Sequence, residues 1–331
     1  MSMQIGICHV GGLYTPGTPP IPGVTVMGGA NEVMNLWPND ISVFMSPTYA
    51  TLYARDTWGT PMSLKTLAQE TPFADLLMAP LDTYLISAWT FANGTNDPWR
   101  YTLTRAMLDA EYLELREFCE HLLATYSTKT FIIQNWEADW SYLGAPDPTA
   151  RIPTYRAQQY SAFLRERQRA VTDARAAVPS GSTIMHAIEV NRPYDLVGGA
   201  RVKRVLRDVV PFVRPDMVSY SAYDTITQWC GSQAEMVLDI QLRLARALKL
   251  IQHYAPGTPI VLGEVGWPED ELPAGYSLRT LFDTVYDVGD AFGCTALYYW
   301  QVWDNEGRGF QIQRPDGSYN EIKGAIQHHY S

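Results

Sequence analysis

Thr-Phe-Ile-Ile-Gln-Asn-Trp-Glu, residues 130 to 137, is an apolar run that ends in a carboxylate, and Pro-Ile-Val-Leu-Gly-Glu, residues 259 to 264, repeats the form. Each is expected to be a strand closed by a glutamate. Strand-like runs recur on both sides of this pair, at Gln4 to His9, Ile41 to Ser46, Tyr84 to Phe91, Thr183 to Val190, Met217 to Tyr223 and Thr295 to Val302. Eight runs separated by helical patterns predict a parallel sheet, with Glu137 and Glu264 ending the fourth and seventh strands.

The intervening helices are legible in the same way. Leu108, Tyr112, Leu115, Cys119, Leu122 and Tyr126 recur at three- and four-residue intervals, as do Val237, Ile240, Leu244, Ala247 and Ile251. Tyr160, Phe163, Val171, Ala174 and Val178 repeat the pattern more weakly. Such stripes belong on helices lying against the outside of the sheet. Eight β/α units in one row favour closure into a barrel, and no GxGxxG turn follows the first strand to suggest a doubly wound sheet.

Connections leaving the strand C-termini are long and rich in Trp, Tyr, Asn, Asp, Pro and Gly, as at Gly11 to Gly28, Pro47 to Pro61, Ala92 to Tyr101, Ala138 to Pro153 and Trp267 to Tyr276. Return connections such as Ser127 to Lys129 are short. This asymmetry places the working face at the C-terminal rim of the strands. With no linker and no internal repeat, the expectation for residues 1–331 is a single α/β domain, a (β/α)₈ TIM barrel with long loops at its C-terminal face.

Composition narrows the partners. An apolar fraction of 46% and a charged fraction of 18% are those of a chain with a large core. A net charge of -10 with 25 basic residues, and no Lys/Arg cluster, argues against a nucleic-acid or anionic-membrane surface. Ten Trp and twenty Tyr suit the apolar faces of sugars. There is no transmembrane run and no signal pattern at the start, which fits a cytoplasmic protein or a secreted one whose signal has been removed. Cys8, Cys119, Cys230 and Cys294 form no CxxC pair and are expected to be buried free thiols. No HxH, HExxH or Cys/His spacing marks a metal site, so neither metal nor other cofactor is expected, and His9 and His186 fall on strands as core or sugar-binding groups.

Two carboxylates facing each other across a barrel mouth are the minimum equipment for cleaving a glycosidic bond. One attacks the anomeric carbon while the other protonates the leaving oxygen and later deprotonates water. Over nearly the whole chain the pattern resembles the clan A glycoside hydrolases, whose barrels carry the acid/base on strand four and the nucleophile on strand seven. The context Gly263-Glu264-Val265-Gly266-Trp267 is similar to that clan's nucleophile segment. The resemblance implies Glu137 as acid/base and Glu264 as nucleophile. It also implies that Tyr223, at the end of strand six, hydrogen-bonds Glu264, and that Trp300 on strand eight forms the floor of the sugar site. The tail Gly309 to Ser318 resembles the hairpin that precedes the last helix of clan members.

There are two departures. Asn stands two residues before the acid, as Asn135-Trp136-Glu137, where the clan has it immediately before. Residues two apart on a strand share a face, so Asn135 is expected to point inward below Glu137. Strand two lacks the Arg that members place beneath the nucleophile, leaving Arg55 or Arg192 as substitutes from loops. Trp89, Trp267, Glu189 and Asp139 complete the candidate substrate-binding set, Asp139 being also a rival acid. The implied function is a retaining glycoside hydrolase acting on a carbohydrate with an equatorial linkage such as a β-glycoside. A transglycosylase on the same machinery and a non-catalytic carbohydrate-binding barrel are the alternatives, and walled loops suggest exo action or short substrates.

Overall fold

The computed structural model describes residues 2–94, 97–150, 152–199 and 201–330. Thr95, Asn96 and Arg151, within two of the long rim connections, lie outside the described residues. Eight parallel strands close on themselves: β1 (Gln4–His9), β2 (Asp40–Met45), β3 (Thr83–Ala88), β4 (Thr130–Gln134), β5 (Thr183–Val190), β6 (Met217–Ser221), β7 (Ile260–Val265) and β8 (Ala296–Tyr299). Closure is made by β8 beside β1, with Gln4 opposite Ala296 and Ile7 opposite Tyr299. The architecture is the expected (β/α)₈ barrel.

Strand alternation divides the core into two layers. Inside the barrel stand Cys8, Phe44, Leu85, Ile132, Ala187 and Val261. Their neighbours Ile7, Val43, Ile86, Ile133, Ile188 and Leu262 point out into the helix layer. Being buried on both faces is what makes these strands near-continuous apolar runs. The outer layer includes α1 (Val26–Asn35), α2 (Arg105–Thr125), α3 (Thr154–Ala177), α4 (Gln233–Tyr254), α5 (Leu278–Ala291) and α6 (Glu321–Tyr330). The three expected stripes fall on α2, α3 and α4, and a reciprocal Ser232/Glu235 capping box starts α4. Arg314 N donates to Ser318 O in a tight turn, followed by the Gln313–Tyr319 antiparallel bridge and then α6. None of these helices, nor any other among the described residues, is long and apolar enough to cross a membrane.

Of the four thiols, Cys8, Cys119 and Cys294 are buried, whereas Cys230 is exposed on the loop before α4, which corrects the expectation for that residue. Polar spacing alone gave no sign that this loop stands clear of the barrel.

Beneath the rim, Arg167 of α3 ties helices to strands. Its Nη1 lies 2.6 Å from Glu111 Oε1 of α2, and Nη2 donates to the carbonyls of Ala88 and Gln134, the last residues of β3 and β4. Glu111 in turn accepts from Thr90 and Asn93 of the loop after β3. Removing one partner of such a buried pair strands the other charge. Arg167→Ala is therefore expected to lower unfolding stability by about 3–5 kcal/mol. Urea unfolding is the check, and a midpoint unchanged from wild type would contradict this role.

Candidate active site

Glu264 reaches the barrel mouth through an irregularity in β7. Ser219 lies opposite Val261 but Ser221 lies opposite Glu264, and on the other flank Leu297 faces Leu262 while Tyr299 faces Val265. β7 thus carries one residue more than either neighbour between these pairs, a bulge centred on Gly263. The bulge reverses the alternation that put Val261 inside and Leu262 outside, and swings Glu264 inward. A Cβ at position 263 would stand 2.0 Å from Ser219 Oγ, which is why glycine occupies the bulge. Glu264 is only 5% exposed. Its Oε1 accepts from Trp136 Nε1 at 2.8 Å and its Oε2 from Ser221 Oγ at 3.2 Å.

Glu137 is re-aimed differently. In β4 the odd residues Phe131 and Ile133 face the helices, and Ile132 and Gln134 face the interior. Asn135 continues outward and donates to Tyr160 Oη at 3.3 Å. Trp136 turns inward to Glu264. Glu137 then takes the left-handed conformation, φ 47 and ψ 50, immediately before the short helix Ala138–Leu143. For a residue with a Cβ this costs on the order of 1–3 kcal/mol and persists only where the surroundings enforce it. Here its N–H donates to Glu189 Oε2 at 3.1 Å, and its carbonyl accepts from Ser141 at 3.0 Å. The break in alternation leaves the carboxyl half-buried on the cavity wall.

Burial raises Glu137 to about 7, with the charge of Glu306 adding to it. Glu264 is also raised, first by burial and then by the Glu137 charge, while Trp136 and Ser221 oppose the rise. Glu189, buried completely between the two, is pushed well above the usual range by burial and by the charges of Glu264 and Glu137. Three carboxyls this close cannot all ionise together. Trp136 Nε1 can only donate, so the oxygen it faces must accept, and this favours the ionised form of Glu264. No hydrogen-bond donor reaches the Glu137 carboxyl among the described residues, so nothing there offsets the rise that burial causes.

A cavity of about 770 Å³ opens on one side of Glu137. Its aromatic wall comprises Phe44 of β2, Trp89 and Trp300 just beyond the ends of β3 and β8, Trp136 after β4, and Trp140 of the short helix Ala138–Leu143. A second cavity of about 420 Å³ lies on the other side, among Tyr223, Trp229, Arg308 and Phe310. Glu137 and Glu306 line both. Glu306 accepts from Trp300 Nε1 at 3.3 Å.

The structure thus brings Glu137, Glu264, Trp300 and Trp89 together at the mouth. Of the remaining candidates, Tyr223 and Glu189 face Glu264 without a hydrogen bond to it, and the others are turned away. Asn135, expected to point inward, is turned to Tyr160 because the strand alternation holds through Trp136. Tyr223 lines the second cavity edge-on to Phe310, 6.1 Å between ring centres, and makes no hydrogen bond to Glu264. Trp136 and Ser221 supply those bonds instead. Trp267 is fully buried, its Nε1 donating to Ile226 O, since the chain has left the bulge facing the helices. Asp139 is buried completely and accepts from the backbone N–H groups of Asn191, Arg192 and Val205, so it fastens the short helix and is not open to a ligand. Glu189 accepts from Asn191 and from the Glu137 backbone, a support beneath the site. Arg55 donates to Thr15 and Arg192 pairs with Asp195, so neither reaches Glu264. His9 and His186 are buried and bonded to Thr25 O and Gln168, away from the cavity. No group of three or more metal-binding side chains occurs among the described residues.

Trp136, Ser221 and Glu306 were missed from sequence. The signal for Trp136 was present: Gln134 and Trp136 share a strand face, which only needed assigning to the interior.

No protein-family model matches the chain, and no curated protein resembles it in sequence. Solved structures do share its fold. A GH5_18 protein from Streptomyces cattleya, crystallised with Manβ1-4GlcNAc, superposes with a TM-score of 0.60 at 17% identity, over 92% of this chain and 74% of that one. Endo-glycoceramidase II from Rhodococcus sp. gives 0.59 at 10% identity, over 98% and 78%. A GH5-4 broad specificity endoglucanase from an uncultured bacterium gives 0.55 at 16%, over 90% and 81%. The barrel is the one these glycoside hydrolases use.

Proposed function

We propose that the chain is a retaining glycoside hydrolase in which Glu264 is the nucleophile and Glu137 the acid/base. The observation that carries this is the unequal treatment of two carboxyls at one mouth. Burial raises both carboxyls, and what sets them apart is that Glu264 holds two hydrogen-bond donors that favour its ionised form while Glu137 holds none. In the first step Glu264 forms a bond to the anomeric carbon as the glycosidic C–O bond breaks and Glu137 gives its proton to the departing oxygen. In the second, Glu137 takes a proton from water, whose oxygen displaces Glu264. The aromatic wall on the β2, β3 and β8 side suits the apolar faces of pyranose rings.

The substrate is a β-linked or otherwise equatorial carbohydrate. The clan A pattern of the sequence supports this, as do the Manβ1-4GlcNAc of one structural neighbour and the names endoglucanase and endo-glycoceramidase of others. Cavities on both sides of Glu137 favour a sugar chain that continues past the cleaved bond, in place of the blind pocket that loop length suggested.

The test is a panel of nitrophenyl glycosides and β-linked oligosaccharides, with the first-formed anomer followed by NMR. Cleavage with retained configuration is expected. Sugar binding without cleavage of any member would instead favour a binding barrel. The rate should also fall on the alkaline side, about tenfold per pH unit above about 7, as Glu137 loses the proton it must donate. A kcat/KM profile flat from pH 6 to 9 would contradict that assignment.

A further inference from the structure

We infer that Trp136 is the positioning residue of the nucleophile: its indole N–H fixes one oxygen of Glu264 while its ring walls the larger cavity. One side chain would thereby link the seating of a sugar to the aim of the attacking carboxylate. This rests on Glu264 being the nucleophile.

Four observations converge. The Nε1–Oε1 distance of 2.8 Å is the shorter of the two bonds to Glu264. The ring is braced edge-on by Phe44 of β2 at 5.0 Å and by Trp89 at 6.0 Å, so the donor is held in place from two neighbouring strands. No arginine and no tyrosine hydroxyl bonds Glu264 among the described residues. Finally, Trp136 is the very residue that separates Asn135 from Glu137, so the departure in spacing and the unusual donor have one origin. The extra position keeps Asn135 on the outward face, presents an indole to the nucleophile, and leaves Glu137 to be re-aimed by its left-handed backbone.

The groups facing Glu264 are Cys8 of β1, Glu137 at the end of β4, Glu189 of β5, Ser221 and Tyr223 from β6 and its loop, and Glu306 after β8. None of them is a cation. Loss of the indole donor therefore leaves Ser221 as the only hydrogen-bond donor to the carboxylate among the described residues.

Trp136→Phe keeps an aromatic ring and deletes the donor. With the glycoside identified by the panel, kcat is expected to fall about ten- to a hundredfold, the range for losing one hydrogen bond to a charged group, while KM changes less than about threefold. The acid limb of kcat/KM should move to higher pH, since protonation of Glu264 becomes easier. Unchanged kcat with an unmoved acid limb, or a change confined to KM, overturns the inference in favour of a packing role. A second measurement needs no turnover: the Trp136 indole ¹⁵N–¹H resonance should shift with the titration of Glu264 in the wild type and lose that transition in Glu264→Gln. An indole resonance indifferent to Glu264→Gln overturns the contact itself. If the resonance follows Glu264 but the wild type cleaves no glycoside, the contact stands, and the nucleophile assignment falls together with the role inferred from it.

Discussion

Glu264→Ala is expected to lower hydrolysis by roughly 10⁴- to 10⁶-fold, the scale set by removing the nucleophile from a concerted catalytic unit. The space vacated lies beside two donors, Trp136 Nε1 and Ser221 Oγ, that are built to face an anion. A small anionic nucleophile such as azide should occupy it and attack the anomeric carbon from the same face. Only one displacement then occurs, so the glycosyl azide should carry inverted configuration. Rescue giving a retained azide, or residual hydrolysis within tenfold of wild type, would remove Glu264 from the nucleophile's role.

The second large effect belongs to Glu137 and depends on the leaving group. For an oligosaccharide, whose alkoxide leaves poorly, Glu137→Gln should cost about 10²–10⁴-fold, the usual contribution of a positioned acid. For a dinitrophenyl glycoside the first step needs no proton. Release of phenolate should then appear as a burst stoichiometric with enzyme, followed by slow turnover, because no base remains to activate water. Azide should relieve the slow step and yield a product of retained configuration, the opposite of the Glu264→Ala outcome. The alkaline limb near pH 7 should disappear with the carboxyl that causes it. Equal loss on good and poor leaving groups, without a burst, would contradict the assignment.

The barrel was legible because strands buried on both faces leave long apolar runs, and amphipathic helices leave stripes. The expected and observed limits agree at Gln4–His9 and Thr183–Val190. They part at the C-terminal ends: the runs toward Phe91, Glu137, Tyr223 and Val302 stop as strands at Ala88, Gln134, Ser221 and Tyr299. The apolar and aromatic character persists beyond those points because Trp89, Trp136 and Trp300 there line a cavity while Ala222 and Val302 stay in the core. The two carboxylates were found from their position at strand ends, but not the means by which each faces inward. By plain alternation both would point at the helices. A bulge at Gly263 corrects one and a left-handed residue corrects the other, and neither leaves a pattern in composition. Asn135 was misplaced for the same reason, since alternation was counted back from Glu137 as though the strand ran that far. Trp267, Asp139 and Glu189 show the limit of reading residue type alone: each is polar or aromatic near the rim, yet each is fully buried in the supporting structure.

The most direct test of the account is covalent trapping. The wild type, incubated with the 2-deoxy-2-fluoro analogue of its preferred glycoside bearing a good leaving group, should stall as a glycosyl-enzyme, and peptide mass spectrometry should place the sugar on the carboxyl of Glu264. Labelling of Glu137, Glu189 or Glu306 instead, or unhindered hydrolysis with no adduct, would contradict it.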